Sequence, residues 1–107
     1  MKLEFRKSCL KEIKKNIAIN NYVLAERTKN KKYMDDNDLN TDDLKSTILA
    51  LTPNDCCDGP ESDRNGFAGY VFEFKTNSIE EKITYLKIRY NPPDEVVCIS
   101  FHEDDKL

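Results

Sequence analysis

Three runs near the C-terminal end alternate apolar with polar or mixed side chains: YVFEFK (70–75), KITYLKIRY (82–90) and EVVCISFH (95–102). A chain carrying three such runs in succession has few ways to fold, because a period of two is the signature of a half-buried strand. Turn-forming stretches separate the runs, Thr76-Asn77-Ser78 and then Asn91-Pro92-Pro93-Asp94, so the spacing predicts an antiparallel meander. Successive strand side chains point to opposite sides. Phe72 and Phe74, Leu86 and Ile88, and Val97, Ile99 and Phe101 are therefore expected on one face, as a core. The other face would collect Glu73 and Lys75, Tyr85, Lys87 and Arg89, and Cys98, Ser100 and His102. If the Asn91–Asp94 turn closes with Tyr90 opposite Glu95, Leu86 meets Ile99, Tyr85 meets Ser100, and His102 sits diagonal to Tyr85.

Upstream, Leu10, Ile13 and Ile17 fall at helical spacing among lysines, which predicts an amphipathic helix from Ser8 to about Asn20, ended by Asn20-Asn21. Tyr22–Glu26 reads as a short extended segment at a sheet edge, and Arg27–Asn30 with the lysines after it as a basic connection. Tyr33–Asn40 reads as a turn or weak helix. Thr41, with Asp42 and Asp43 in the first turn, starts a firmer helix whose buried stripe is Leu44, Ile48, Leu49 and Leu51. Thr52-Pro53-Asn54-Asp55 repeats the start signal and predicts a helical turn. Asp58–Gly66 reads as one long surface loop, and Glu103–Leu107 as a frayed acidic tail.

A chain of 107 residues with 38 % hydrophobic content fits one domain, residues 1–107, around one modest core. No run is long and apolar enough for a membrane span or a signal peptide, which gives a cytoplasmic reading. The four cysteines, Cys9, Cys56, Cys57 and Cys98, match neither a disulfide framework nor a zinc spacing, so reduced thiols and no metal are expected. Net charge is −3, but residues 1–32 hold ten basic against three acidic side chains, and residues 33–66 two against nine. Blocks like these are usually solvated faces. A basic first helix beside a cationic sheet face would also serve as a footprint for nucleic acid.

The order of two helices, LTPNDC, a GPESDRNG loop, VFEFK, YLKI and a closing CISFH resembles the MqsR-type toxins of bacterial toxin–antitoxin modules, over about Leu10 to His102. The resemblance implies a RelE-like α+β fold, two or three helices on one face of a three- to four-stranded antiparallel sheet. It also implies a sequence-selective messenger RNA endoribonuclease that works without the ribosome, a metal or a cofactor, and is neutralised by a cognate antitoxin protein. By alignment, Tyr85 matches a tyrosine of the family's site, Glu73 falls near a glutamine so used, and His102 takes the place of a C-terminal lysine. Asp58 stands where the family has a functional lysine, so the cationic role passes to Lys87, Arg89 and Arg64.

Metal-free RNA cleavage needs a base for the 2′-hydroxyl, an acid for the 5′-oxygen and cations for the phosphorane. Glu73 is the expected base and His102, the only histidine, the expected acid. Tyr85 would orient or relay the proton, with Lys87, Arg89 and Arg64 binding substrate. Two rival readings remain at this point. One is a binding module of the same fold without catalysis, and the other a protein-interaction domain in which the basic head docks an acidic partner. In both, Tyr85, Lys87 and Arg89 are only the wet side of a one-faced sheet, and Glu73 pairs with Lys87 across the strands.

Overall fold

The three alternating runs are the centre of a five-stranded sheet in the computed structural model, which describes residues 2–79 and 82–104. In chain order the elements are α1 (Lys2–Ala18), β1 (Val23–Leu24), α2 (Thr28–Asp36), α3 (Thr41–Leu49), a 3-10 turn (Pro53–Asp55), β2 (Cys56–Glu61), β3 (Tyr70–Ile79), β4 (Lys82–Asn91) and β5 (Glu95–Glu103). The strands lie in the order β1-β5-β4-β3-β2. All pairings are antiparallel except β1 with β5. The class is α+β, with three α-helices and a mixed sheet, so the expected three- to four-stranded antiparallel sheet is one strand short and lacks the parallel edge.

One of the two additions is the short extended segment expected at a sheet edge, and the other comes from a stretch that reads as a loop. Val23 and Leu24 run parallel to Val97 and Cys98 because the chain returns from α1 at the same end of the sheet. Cys56–Glu61 forms β2 despite its turn-like composition, through a pairing with β3 that is broken twice by bulges. Gly59 sits at a φ of 105°, and a Cβ there would come within 2.9 Å of Phe72 Cα, so only glycine lets β2 approach β3 this closely. The loop expected over Asp58–Gly66 is thereby reduced to the stretch between β2 and β3. Thr76-Asn77-Ser78 likewise belongs to β3, and the β3–β4 turn lies outside the described residues. Glu103 pairs with Thr84, and the Asp104 amide donates to the Ile83 carbonyl at 2.9 Å, so the tail is ordered that far and residues 105–107 lie outside the described ones.

The helices cover one face. Leu10, Ile13 and Ile17 of α1, Tyr33 of α2, and Leu44 and Ile48 of α3 join Phe72, Phe74, Leu86, Ile88, Cys98 and Phe101 in one buried cluster. Leu49, expected in the buried stripe of α3, is instead 41 % exposed. Asn20, at a φ of 62°, turns the chain out of α1 as its sequence suggests. The cap of α3 is Asn40 rather than Thr41: its side chain accepts from the Asp42 and Asp43 amides while Asp43 accepts from the Asn40 amide. The stretch taken as a basic connection is the first turn and a half of α2. Four lysines of α1 and α2 form exposed pairs one helical turn apart, Lys7 with Glu4, Lys15 with Glu12, Lys31 with Asp35 and Lys32 with Asp36. Among the described residues no helix is long and apolar enough to cross a membrane.

The strand register departs from the expected one at two places. The turn closes one residue later on β4, with Asn91 opposite Glu95, so that Tyr90 meets Val96 and Ile88 meets Cys98. A bulge then adds Ile99 to β5, after which Lys87 faces Ser100, Leu86 faces Phe101 and Tyr85 faces His102. The core therefore takes Val96 and Cys98 where Val97 and Ile99 were expected, and Cys98 leaves the outer face. Phe101, Ser100 and His102 stand on the expected sides only because the bulge reverses the alternation.

A bulge frees backbone groups from the ladder, and Asn30 of α2 takes them up. Its amide nitrogen donates to the Ile99 carbonyl at 3.0 Å and to the Ala25 carbonyl at 3.1 Å, and its carbonyl oxygen accepts from the Phe101 amide at 2.9 Å. Asn30 is 2 % exposed. Removing it leaves the buried Phe101 amide without an acceptor and takes a donor from the part-buried Ile99 and Ala25 carbonyls, so Asn30→Ala is expected to cost about 2 kcal/mol in urea unfolding. Asn30→Asp, which keeps the acceptor for Phe101 but loses both donations, should also destabilise the fold. A near-neutral Asn30→Ala would show that the bulge holds itself.

Candidate functional site

The face of the sheet opposite the helices carries the candidate residues, and the register arranges them in rows across the strands. One row reads Asp58, Glu73, Lys87, Ser100, and the next reads Lys75, Tyr85, His102. The structure thus brings Glu73, Tyr85, Lys87 and His102 together. Tyr85 is the junction. Its hydroxyl donates to Glu73 Oε1 at 2.6 Å, and its ring lies against the His102 imidazole with centroids 5.2 Å apart, inclined at 35°. His102 Nδ1 stands 2.8 Å from the Glu103 carbonyl oxygen, a contact that needs the proton on Nδ1 and does not engage Nε2.

Partial burial raises the Tyr85 pKa well above its ordinary 10.0, and the hydrogen bond to Glu73, then the charges of Glu73 and Cys57, add to the shift, while Arg64 opposes it. Tyr85 is thus a neutral donor that fixes one carboxylate oxygen of Glu73. It is not a base. Lys87 lies directly opposite Glu73, yet the carboxylate takes the phenol as its close partner. Among the described residues neither Lys87 nor Arg64 has an ion-pair partner. Arg64 lies in the chain between β2 and β3, and its charge is the one influence that lowers the Tyr85 pKa.

Arg89 shares the face but serves a different purpose. It is 8 % exposed, its Nη1 donates to Glu95 Oε1 at 3.0 Å and to the Ala68 carbonyl at 2.9 Å, and its Nε stands 3.8 Å from Asp63. The Phe67 ring covers the guanidinium at 5.2 Å. Every one of these partners except Glu95 lies between β2 and β3, so Arg89 is the clamp that straps this loop, and with it Arg64, onto the sheet. It is not available to a phosphate. The Arg89 and Asn91 hydrogen bonds, and the Arg89 charge, hold the Glu95 carboxyl below its ordinary range.

Arg27 contributes a cation that composition alone does not place here. It precedes α2 at the β1 edge, and its Nη1 donates to the buried Ser100 hydroxyl at 2.8 Å, next to Lys87 in the row. The only hint in the sequence was its position after an edge strand. At the opposite border, oxygens of Asp58, Glu61 and Glu73 lie within 4.8 Å of one another, the one place among the described residues where three possible ligands of a hard cation converge. The outer face is therefore polarised, cationic toward β5 and acidic toward β2. Cys57, at the acidic border, has its thiol pKa raised chiefly by burial, and the four cysteines are unbridged.

Two outcomes follow from this geometry. Because the Tyr85 pKa is raised in the folded state, its contribution to stability is complete below pH 10.0 and declines as pH rises beyond it. Phenolate absorbance should show Tyr85 among the last tyrosines to ionise, a component missing from Tyr85→Phe; ionisation near pH 10.0 would mean the Glu73 bond is not made. Arg89→Gln leaves the Asp63 carboxylate without its buried partner and should cost about 3 kcal/mol in chemical unfolding, with faster proteolysis between β2 and β3; an unchanged midpoint and cleavage rate would remove the clamp.

No protein-family model, no curated protein and no solved structure matches the chain.

Proposed function

We propose that the outer face cleaves single-stranded messenger RNA, and that the chain is a RelE-like ribonuclease of MqsR type, a cytoplasmic toxin held in check by a cognate antitoxin. The observation that carries this reading is the Tyr85 junction: one phenol hydrogen-bonds the expected base at 2.6 Å and stacks against the expected acid at 5.2 Å, on an open face beside an unpaired lysine. A purely structural wet face would pair Glu73 with Lys87. Here Glu73 is oriented and Lys87 is left for a phosphate.

In the reaction the Glu73 carboxylate takes the proton of the 2′-hydroxyl, and the 2′-oxygen bonds to the adjacent phosphorus. As the phosphorus–5′-oxygen bond breaks, the protonated His102 gives its Nε2 proton to the leaving oxygen. Lys87, with Arg64 and Arg27 flanking, offsets the negative charge that grows on the phosphorane. The products are a 2′,3′-cyclic phosphate and a 5′-hydroxyl, and solvent returns both side chains to their starting protonation states. Tyr85 stays neutral throughout, holding Glu73 in line.

A second reading keeps the RNA and drops the chemistry. It draws on the Asp58, Glu61 and Glu73 cluster, whose negative charge lies on the border of the same face and disfavours a phosphate there. Incubating the protein with a long defined RNA in EDTA separates the two. The ribonuclease reading predicts discrete cuts with cyclic-phosphate ends, slowed about 10²–10⁴-fold by His102→Ala or Glu73→Gln in variants that remain folded. Intact RNA with salt-dependent binding would leave a binding module. Cleavage that EDTA abolishes and manganese restores would move the chemistry to the three carboxylates.

A further inference from the structure

A cleft of about 540 Å³ opens at the end of the sheet where β4 begins and β5 finishes, between those strands and α2. Lys29, Lys32 and Asn37 line it from α2 and its C-cap, Lys82 from β4, and His102 and Glu103 from β5. His102 therefore belongs to two places at once, since the same imidazole lies against Tyr85 on the outer face. A strand of RNA whose scissile phosphate lies between Glu73 and His102 has two directions in which to continue. Toward β2 it meets the carboxylates of Asp58 and Glu61. Past His102 it meets three lysines, two of them paired with the cleft's own carboxylates, Asp36 and Glu103.

Two of those lysines, Lys32 and Lys82, can be recruited. Lys32 and Asp36 pair at 2.6 Å with side chains 73 % and 57 % exposed, and Lys82 and Glu103 pair at 3.6 Å with side chains 57 % and 50 % exposed. Exposed pairs of this kind contribute little to stability, so an ammonium can turn from its carboxylate to a phosphate at small cost.

We propose that this cleft is a phosphate subsite for single-stranded RNA, holding the backbone one nucleotide beyond the bond that Tyr85 and His102 flank. The subsite gives the surface a direction: the strand runs from Arg27 and Lys87 across His102 into the cleft, away from the acidic border. This rests on the ribonuclease reading, and it extends the binding surface from the sheet to α2.

The test is fluorescence anisotropy of the full chain with a mixed-sequence 2′-O-methyl RNA octamer, which cannot be cleaved, across a salt series. The variant with both Lys32→Gln and Lys82→Gln should bind at least about fivefold more weakly and lower the slope of log affinity against log salt by about 1.4, the equivalent of two lost phosphate contacts. Asp36→Asn, which removes a competing carboxylate and keeps both lysines, should bind more tightly. A charge-matched pair on α1, Lys7→Gln with Lys11→Gln, should change the affinity much less. Equal losses from the α1 and cleft pairs would overturn the subsite, as would an unchanged slope in the cleft variant, while the parent's own RNA binding would leave the ribonuclease reading standing. A parent that binds no octamer would remove the ribonuclease reading and the subsite together.

Discussion

The residue on which both faces of the sheet depend is Asn30, through the bulge it holds at Ile99. Continued without the bulge, the pairing of Ile88 with Cys98 would set Tyr85 opposite Phe101 and Thr84 opposite His102. Phe101 would then lie on the open face and the imidazole among apolar side chains. One inserted residue reverses this, sending Phe101 to the core, where its ring meets Tyr33 edge-on at 5.2 Å, and His102 to Tyr85. The bulge would be expensive if its backbone groups went unpaired. Asn30 satisfies the Ile99 carbonyl and the Phe101 amide with one side chain, and so ties the helical layer to the position of His102. Stability and the candidate chemistry share a single buried amide.

A second division of labour runs along the outer face. At the turn end, Arg89 is consumed by Glu95, Asp63 and the Ala68 carbonyl, an arrangement that stabilises the loop and removes the cation from any ligand. At the open end, Lys87 and Arg64 remain without ion-pair partners among the described residues, and Arg27 leans in over Ser100. The helical lysines lie in the layer behind the sheet, and Lys7, Lys15, Lys31 and Lys32 form exposed pairs with neighbours on the same helix. The basic head of the chain is thus mainly a solvated helical surface, and the cations that matter to the face come one each from an edge, a strand and a loop.

The alternation of β3 and β4 was legible because both strands keep an unbroken period of two: Phe72, Phe74, Leu86 and Ile88 are buried as that pattern requires, and Glu73, Tyr85 and Lys87 share the other face. β5 was legible only in its last residues. Val96, Val97, Cys98 and Ile99 are all apolar enough for a core, so composition offered no way to locate the bulge; the register inferred from the turn was off by one residue up to Cys98 and by two beyond it, and only the sides of Ser100, Phe101 and His102 came out as expected. Arg89 occupied the right face, but its partners Asp63 and Ala68 are 26 and 21 positions away in the chain or nearby in neither composition nor motif, and their approach is a tertiary fact. β2 was hidden because Gly59 and Pro60, which mark turns in most contexts, here serve a bulged edge strand. Asn30, read as part of a polar connector, gave no sign that it faces inward.

The central claim is that the bulge sets the His102 imidazole against the Tyr85 phenol on the open face. Nuclear Overhauser contacts of the two rings test it directly, in the full chain in solution. The account predicts cross-peaks between the His102 and Tyr85 ring protons, together with contacts from the Phe101 ring to Tyr33. Cross-peaks from His102 to the Thr84 methyl group, with Phe101 beside Tyr85, would mean a continuous register, and the site described above would not exist.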